Sequence, residues 1–80
     1  MSERIRWGIL GTGNIARQFA AGMKTSRRGV MSAVGSRKDA TASEFASKYS
    51  IPKAHGNYDA LIDDPNVDAI YNSLVEKFLN

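Results

Sequence analysis

The 80-residue sequence contains no cysteine, which removes disulfides and thiolate chemistry at once and makes a reducing cytoplasm the expected compartment. No run approaches the roughly eighteen apolar residues of a membrane span, so no membrane partner is expected. The start, "MSERIRWG", has no apolar segment of the kind a secretory signal needs. Repeats, linkers and low-complexity tracts are absent. The net charge of +3 is too mild to call for a nucleic-acid partner, although it suits an anionic ligand. The sole histidine, His55, reads as a surface or packing residue. Asp63, Asp64 and Asp68 belong to an Asp-Pro stop and a strand entry, and form no paired-carboxylate site. No metal site or catalytic residue is expected.

What is present is globular: 42% hydrophobic residues, 24% charged and seven glycines. The length allows one domain, and a chain of this size buries only about 60% of its unfolded surface, so the net stability is small. Ile5 to Leu10 is short and apolar enough for a buried strand. Ile15, Phe19, Ala20 and Met23 then recur at helical spacing, which predicts a helix from Asn14 to about Lys24. "TSRRG" breaks it, with Gly29 suited to a turn, and Val30 to Gly35 is a second strand. Asp39 or Thr41 can cap a second helix, and Thr41 with Glu44 makes a capping box. Phe45, Ala46 and Tyr49 form its inner stripe, and Ile51-Pro52 ends it. Lys53 to Gly56 is a short third strand, Tyr58 to Ile62 a single helical turn, and Val67 to Tyr71 a fourth strand. Strands alternating with helices argue for parallel pairing with crossover helices.

Within that frame the stretch "GILGTGNIA" acquires a mechanism. A bare G-x-G-x-x-A is weak, but here it follows a strand, opens a helix and lies in a βαβ unit of about thirty residues. Gly11 permits the tight turn, Gly13 lets the backbone approach a pyrophosphate, and Ala16 lets the helix pack close to the strand. The amides of the helix start, from Thr12 through Asn14 and Ile15, then face the anion. A glycine turn without a ligand is the bland alternative.

The end of the second strand refines the ligand. An acid there would bond the ribose 2′-hydroxyl of NAD. The chain carries Ser36-Arg37-Lys38 instead, a hydroxyl and two cations suited to a 2′-phosphate, so NADP is favoured and NAD remains possible. The arginine could equally stack on adenine, or the turn could simply be solvated. Asp39 is better read as a helix cap. Ligands in such sheets lie outside the carboxyl ends of the strands at the switch point, here between the first and fourth strands, which adds Asn72, Ser73 and Leu74 to the candidate site.

"IRWGILGTGNIA" and "AVGSRKDATASEFASKYSIPKAHGNYDALIDDPNVDAIYNSL" together resemble the N-terminal half of the cofactor domain in the glucose-fructose oxidoreductase family. That group includes inositol dehydrogenases and the Gfo/Idh/MocA-type sugar dehydrogenases. The likeness runs from about Ile5 to Leu74 and rests on the glycine turn, the S-R-K, the "Y-x-x-L-x-x-D-P-x-V-D-A" segment and "Y-N-S-L". It implies that Asn72 to Leu74 lie along the nicotinamide-side ribose. Such proteins continue with P-N-x-x-H, a further helix and strand, an E-K-P motif with a catalytic lysine, and a substrate domain with a catalytic histidine. Here the next residues are "VEKFLN"; Glu76-Lys77 comes directly after the fourth strand with Phe78 in place of proline. Lys77 is therefore read as part of a charged turn in a short amphipathic tail.

The resulting expectation is an α/β, Rossmann-like three-layer unit with four parallel strands in the order 3-2-1-4, a truncated half of a dinucleotide-binding domain. Residues 1–74 form the partial domain and residues 75–80 a divergent tail. The expected core comprises Ile9, Leu10, Ile15, Phe19, Val34, Phe45, Leu61, Val67 and Ile70. The fourth strand would present an unpaired edge, inviting self-association through that strand or the tail. Functionally, three readings stand: a cofactor-binding module without catalysis of its own, an oxidoreductase piece completed by another chain, or a structural fragment that no longer binds cofactor.

Overall fold

The computed structural model describes residues 4–74. The tail residues, including Lys77 and the apolar positions 75, 78 and 79, lie outside the described residues. Strands β1 (Ile5–Leu10), β2 (Gly29–Gly35), β3 (Lys53–His55) and β4 (Ala69–Asn72) alternate with helices α1 (Asn14–Met23), α2 (Asp39–Tyr49) and α3 (Tyr58–Ile62). The strands form one sheet in the order β3-β2-β1-β4, and every pairing is parallel. The anticipated Rossmann-like architecture is thus the observed one, with β1 in the interior.

The sheet separates two apolar clusters. Ile9, Met31 and Val34 point toward α1 and α2 and pack with Ala16, Ala20, Phe45, Ala46 and Ile51. Leu10 and Ala33 point the other way and meet Leu61 of α3. A bulge allows this arrangement: Trp7 pairs with Met31 but Gly8 pairs with Ala33, so Ser32 is an extra residue. The inserted residue resets the alternation of faces and puts both Met31 and Val34 on the α1–α2 side.

The expected core was too rich in large side chains. Ile15, Phe19, Val67 and Ile70 are only half-buried, whereas Ala16, Ala20, Ala33, Ala42 and Ala46 are buried. Where helix and sheet backbones approach closely, small side chains fill the gap and larger ones are pushed to its rim. Phe19 does this by stacking on Tyr71 at 4.2 Å and meeting Trp7 edge-on at 5.4 Å. On the other face, Leu61 reaches so far in that a Cβ at Gly35 would lie 2.9 Å from its side chain.

Element ends differ from expectation for local reasons. The helix α1 stops at Met23, with Lys24 as its cap, and β2 begins at Gly29, whose neighbouring Ser26 hydroxyl accepts from the Gly29 N–H at 3.1 Å. The capping box does not form, because α2 starts at Asp39 with Lys38 as N-cap; Thr41 then sits inside the first turn, and no side chain caps the helix. Ser50 closes α2 in the left-handed region at φ 57°, and the Ile51 N–H returns to the Ala46 carbonyl at 2.8 Å. The third strand ends at His55 rather than Gly56. Val67 belongs to the preceding turn, donating its N–H to Asp64 at 3.2 Å, so β4 begins only at Ala69.

Two side-chain pairs brace the sheet. His55 on β3 lies 2.8 Å from Asp64, a mostly buried carboxylate that also accepts the Asn66 N–H; these bonds lower its pKa. His55 is therefore a packing residue with a specific partner. Arg6 on β1 holds Asp68, just before β4, through two side-chain bonds of 2.8 and 3.0 Å and its own backbone N–H, lowering the Asp68 pKa from 3.8 to about 2. A carboxylate depressed by folding stabilises the fold above its unfolded pKa, and that contribution disappears as pH falls through the folded value. Stability should therefore drop from about pH 4 toward pH 2, and Asp68→Asn should flatten that part of the dependence, as read from unfolding midpoints across this window.

Candidate functional site

At the carboxyl ends of β1, β2 and β4 the chain leaves a cleft of about 500 Å³. Its wall is built first by Gly11, which has φ +100°, a conformation that costs a side-chain-bearing residue strain. Space adds to the constraint, since a Cβ there would stand 2.5 Å from the Ser73 hydroxyl and 3.0 Å from Leu74. The glycine turn delivers the chain into α1, whose N-cap is Gly13. No side chain caps that helix, and its first turn carries no acid. Its leading amides and the positive end of its dipole thus face the cleft without an internal partner. At Gly13 a Cβ would meet nothing within 4 Å, so no protein atom requires a glycine there.

The second part of the wall is the turn after β2. Ser36 is buried, its N–H bonded to the His55 carbonyl at 3.0 Å, while Arg37 and Lys38 are exposed. The Ser36 hydroxyl also lies 3.5 Å from the Lys38 N–H, shaping the turn. The third part follows β4. Ser73 is buried and donates both its N–H (3.1 Å) and its hydroxyl (2.6 Å) to the Leu10 carbonyl, pinning the end of β4 to the end of β1. Asn72 is exposed and accepts the Leu74 N–H at 3.0 Å.

Ten of the eleven sequence-derived site residues thus line one cleft: Gly11, Thr12, Gly13, Asn14, Ile15, Ser36, Arg37, Lys38, Ser73 and Leu74. Asn72 does not line it and instead stabilises the turn that places Leu74. Thr41 and Tyr58 also line the cleft and were missed. Both had been assigned to helix starts, and only the convergence of α2 and α3 on the end of β2 brings them to this mouth. Asp39 is not among the lining residues and caps no helix. Its carboxylate lies against Gly56, on the β3–α3 connection.

The arrangement places a helix start without a side-chain cap at one end and two exposed cations at the other. Among the described residues no cluster of acids and histidines could hold a metal ion, and no helix is long and apolar enough to cross a membrane.

Comparison with known proteins agrees with this geometry. Residues 5–74 match the Gfo/Idh/MocA family, described as an oxidoreductase family with an NAD-binding Rossmann fold. The chain is 41% identical over 69 residues to the zebrafish (Danio rerio) trans-1,2-dihydrobenzene-1,2-diol dehydrogenase and 42% identical to the human enzyme, covering 84% of this chain in each case. It spans about a fifth of the length of these relatives, 21%. Among solved structures, a 3-ketoreductase from Actinomadura kijaniata in complex with NADP superposes with a TM-score of 0.80 at 27% identity, over 86% of this chain and 22% of that one. Scyllo-inositol dehydrogenase from Lactobacillus casei, with bound NAD(H) and scyllo-inositol, shares the fold at a TM-score of 0.77 and 18% identity, over 89% of this chain and 21% of that one. With the family match running from the first residue of β1 to the turn after β4, the chain belongs to the Gfo/Idh/MocA oxidoreductase family and carries its NAD-binding Rossmann fold.

Proposed function

We propose that this chain is the cofactor-binding module of a Gfo/Idh/MocA-type oxidoreductase of the sugar or polyol dehydrogenase class, that it holds NADP in preference to NAD, and that it has no catalysis of its own. The observation carrying this reading is the pairing of an uncapped, acid-free start of α1 with open space at Gly13. A position that demands no glycine for packing or backbone reasons, yet has one, fits a backbone kept bare for a ligand's approach. The amides of Asn14 and Ile15 would bond the pyrophosphate, with Gly11 setting the turn that aims them.

Preference for the phosphorylated cofactor rests on the second wall. Ser36, Arg37 and Lys38 offer donors and positive charge to a 2′-phosphate, and the one nearby acid, Asp39, lies outside the lining. The NADP complex of the Actinomadura relative supports the same choice, and the NAD(H) complex of the inositol enzyme keeps the alternative in view. Ser73 and Leu74 would flank the nicotinamide-side ribose, with Asn72 acting through the turn. When bound, the cofactor supplies the hydride donor or acceptor. What these residues do is bind and orient it. Residues 1–74 act as the binding domain and residues 75–80 as a tail divergent from the family, in a cysteine-free chain suited to the cytoplasm.

We further propose that chains self-associate through β4. In the strand order β4 is terminal, with β1 as its sole sheet partner among the described residues. A terminal strand can template pairing with another strand. Sedimentation over a wide concentration range should show a dimer that dissociates on dilution; a monomer throughout refutes it.

Titration with NADPH tests the binding reading. Binding to the folded state alone should stabilise it by about 2.7 kcal/mol at a hundred-fold excess over Kd, visible as a raised melting temperature. Gly13→Val should abolish that shift, because its side chain would occupy the open space at the cleft. Arg37→Ala should weaken NADP about ten-fold or more and NAD far less, through loss of a charge-assisted contact. Identical melts with and without millimolar NADPH, and unmoved amide signals from Gly11 to Ala16, would leave a structural fragment as the reading.

A further inference from the structure

We propose that Gly56 sets the cofactor preference of this cleft by giving the Asp39 carboxylate a place to lie outside it. The inference rests on the dinucleotide reading and deepens it. Asp39 follows Arg37 and Lys38 directly and is the first residue of α2, at the cleft's basic end. An acid turned into the cleft at that point would accept a hydrogen bond from a ribose 2′-hydroxyl and repel a 2′-phosphate. Asp39 is close enough in the chain to the end of β2 for its carboxylate to compete there.

The side chain goes the other way. Its carboxylate lies so close to Gly56 that a Cβ there would overlap Oδ1, reach Cγ at 2.6 Å and stand 3.2 Å from the Asp39 backbone nitrogen. Asp39 is exposed, and no hydrogen bond or ion pair among the described residues fixes the carboxylate, so its direction is set by where space is open. Gly56 has no left-handed backbone conformation, since Gly11 is the one glycine with positive φ among the described residues. An alanine at 56 is therefore permitted by its own φ and blocked mainly by the Asp39 side chain, with the Asp39 backbone nitrogen at 3.2 Å remaining as a tight contact. Because the clash falls mainly on the end of a side chain, rotation of Asp39 relieves it cheaply. The charges that attract the released carboxylate are those of Arg37 and Lys38, both on the cleft wall. There it would neutralise the cations meant for a 2′-phosphate and offer an acceptor to a 2′-hydroxyl. Gly56 is thus a positioning residue that acts through Asp39.

The test is the ratio of NADP to NAD affinity, measured on the full chain by titration for wild type, Gly56→Ala, Asp39→Asn and the double variant. Gly56→Ala should lower the ratio about ten-fold or more, the scale of one charge–charge contact near a protein surface. Adding Asp39→Asn should restore the ratio to about the wild-type value, because the asparagine lacks the charge. Should Gly56→Ala fail to fold, Asp39→Glu carries the same expectation, as its longer side chain overreaches the space beside Gly56. A ratio unmoved by Gly56→Ala overturns the inference, as does a shift that persists in the double variant, which would mean the loop had simply been distorted. Equal loss of both nucleotides overturns it too. Wild-type protein that binds neither nucleotide overturns the cofactor reading and this inference with it.

Discussion

Everything at the site depends on how three strand ends are tied together. The Leu10 carbonyl, the last of β1, accepts two hydrogen bonds from Ser73, and the next N–H, that of Gly11, donates to the Gly35 carbonyl at 2.9 Å. These bonds lock the carboxyl ends of β4, β1 and β2 into one rim. They also oblige the chain to leave β1 sharply, because Ser73 occupies the space where a side chain at position 11 would sit. The positive φ at Gly11, the entry angle of α1 and the exposure of its first amides are consequences of that rim. A buried serine is an economical device here: its hydroxyl is satisfied, so its burial carries no penalty for an unmade bond.

The two faces of the sheet serve different ends. On the α1–α2 side, a run of buried alanines keeps the helix axes near the strands, so the start of α1 stays at the rim. On the α3 side Leu10, Ala33 and Leu61 form the buried cluster; Leu61 crowds position 35, and Leu61 with Val67 crowds position 8, so that neither leaves room for more than glycine. Around that face the His55–Asp64 and Arg6–Asp68 pairs tie β3 and β4 to their surroundings. Arg37 and Lys38, by contrast, have no ion-pair partner among the described residues.

Gly13 and Gly56 show that glycine can be chosen for space rather than for backbone freedom. Neither has positive φ. At Gly13 the space is open and faces the cleft, whereas at Gly56 it is filled by an acid that would otherwise compete for the cleft. One position leaves the backbone bare at the cleft and the other lies under a side chain.

The strands, the helices, their order and the glycine turn were legible in the sequence, because each is written in local pattern: apolar runs, helical spacing and glycines at fixed offsets. The parallel order 3-2-1-4 followed from alternation of strands and helices, for which few topologies exist. The basic Ser36-Arg37-Lys38 turn was legible for the same reason, being contiguous. What local pattern could not carry was anything that depends on distances between elements. It overstated burial at Ile15, Phe19, Val67 and Ile70, because how closely a helix approaches a sheet is settled by the alanines around it. It placed a capping box at Thr41 that the actual helix start, two residues earlier, leaves unformed. It could not bring Thr41 and Tyr58 to the cleft, nor detach Asn72 from it, since these outcomes arise where α2, α3 and the end of β4 converge. Above all, it could not tell which way Asp39 turns. Side-chain direction at a helix start depends on which neighbour leaves space, and that neighbour, Gly56, lies across the fold, at the end of β3.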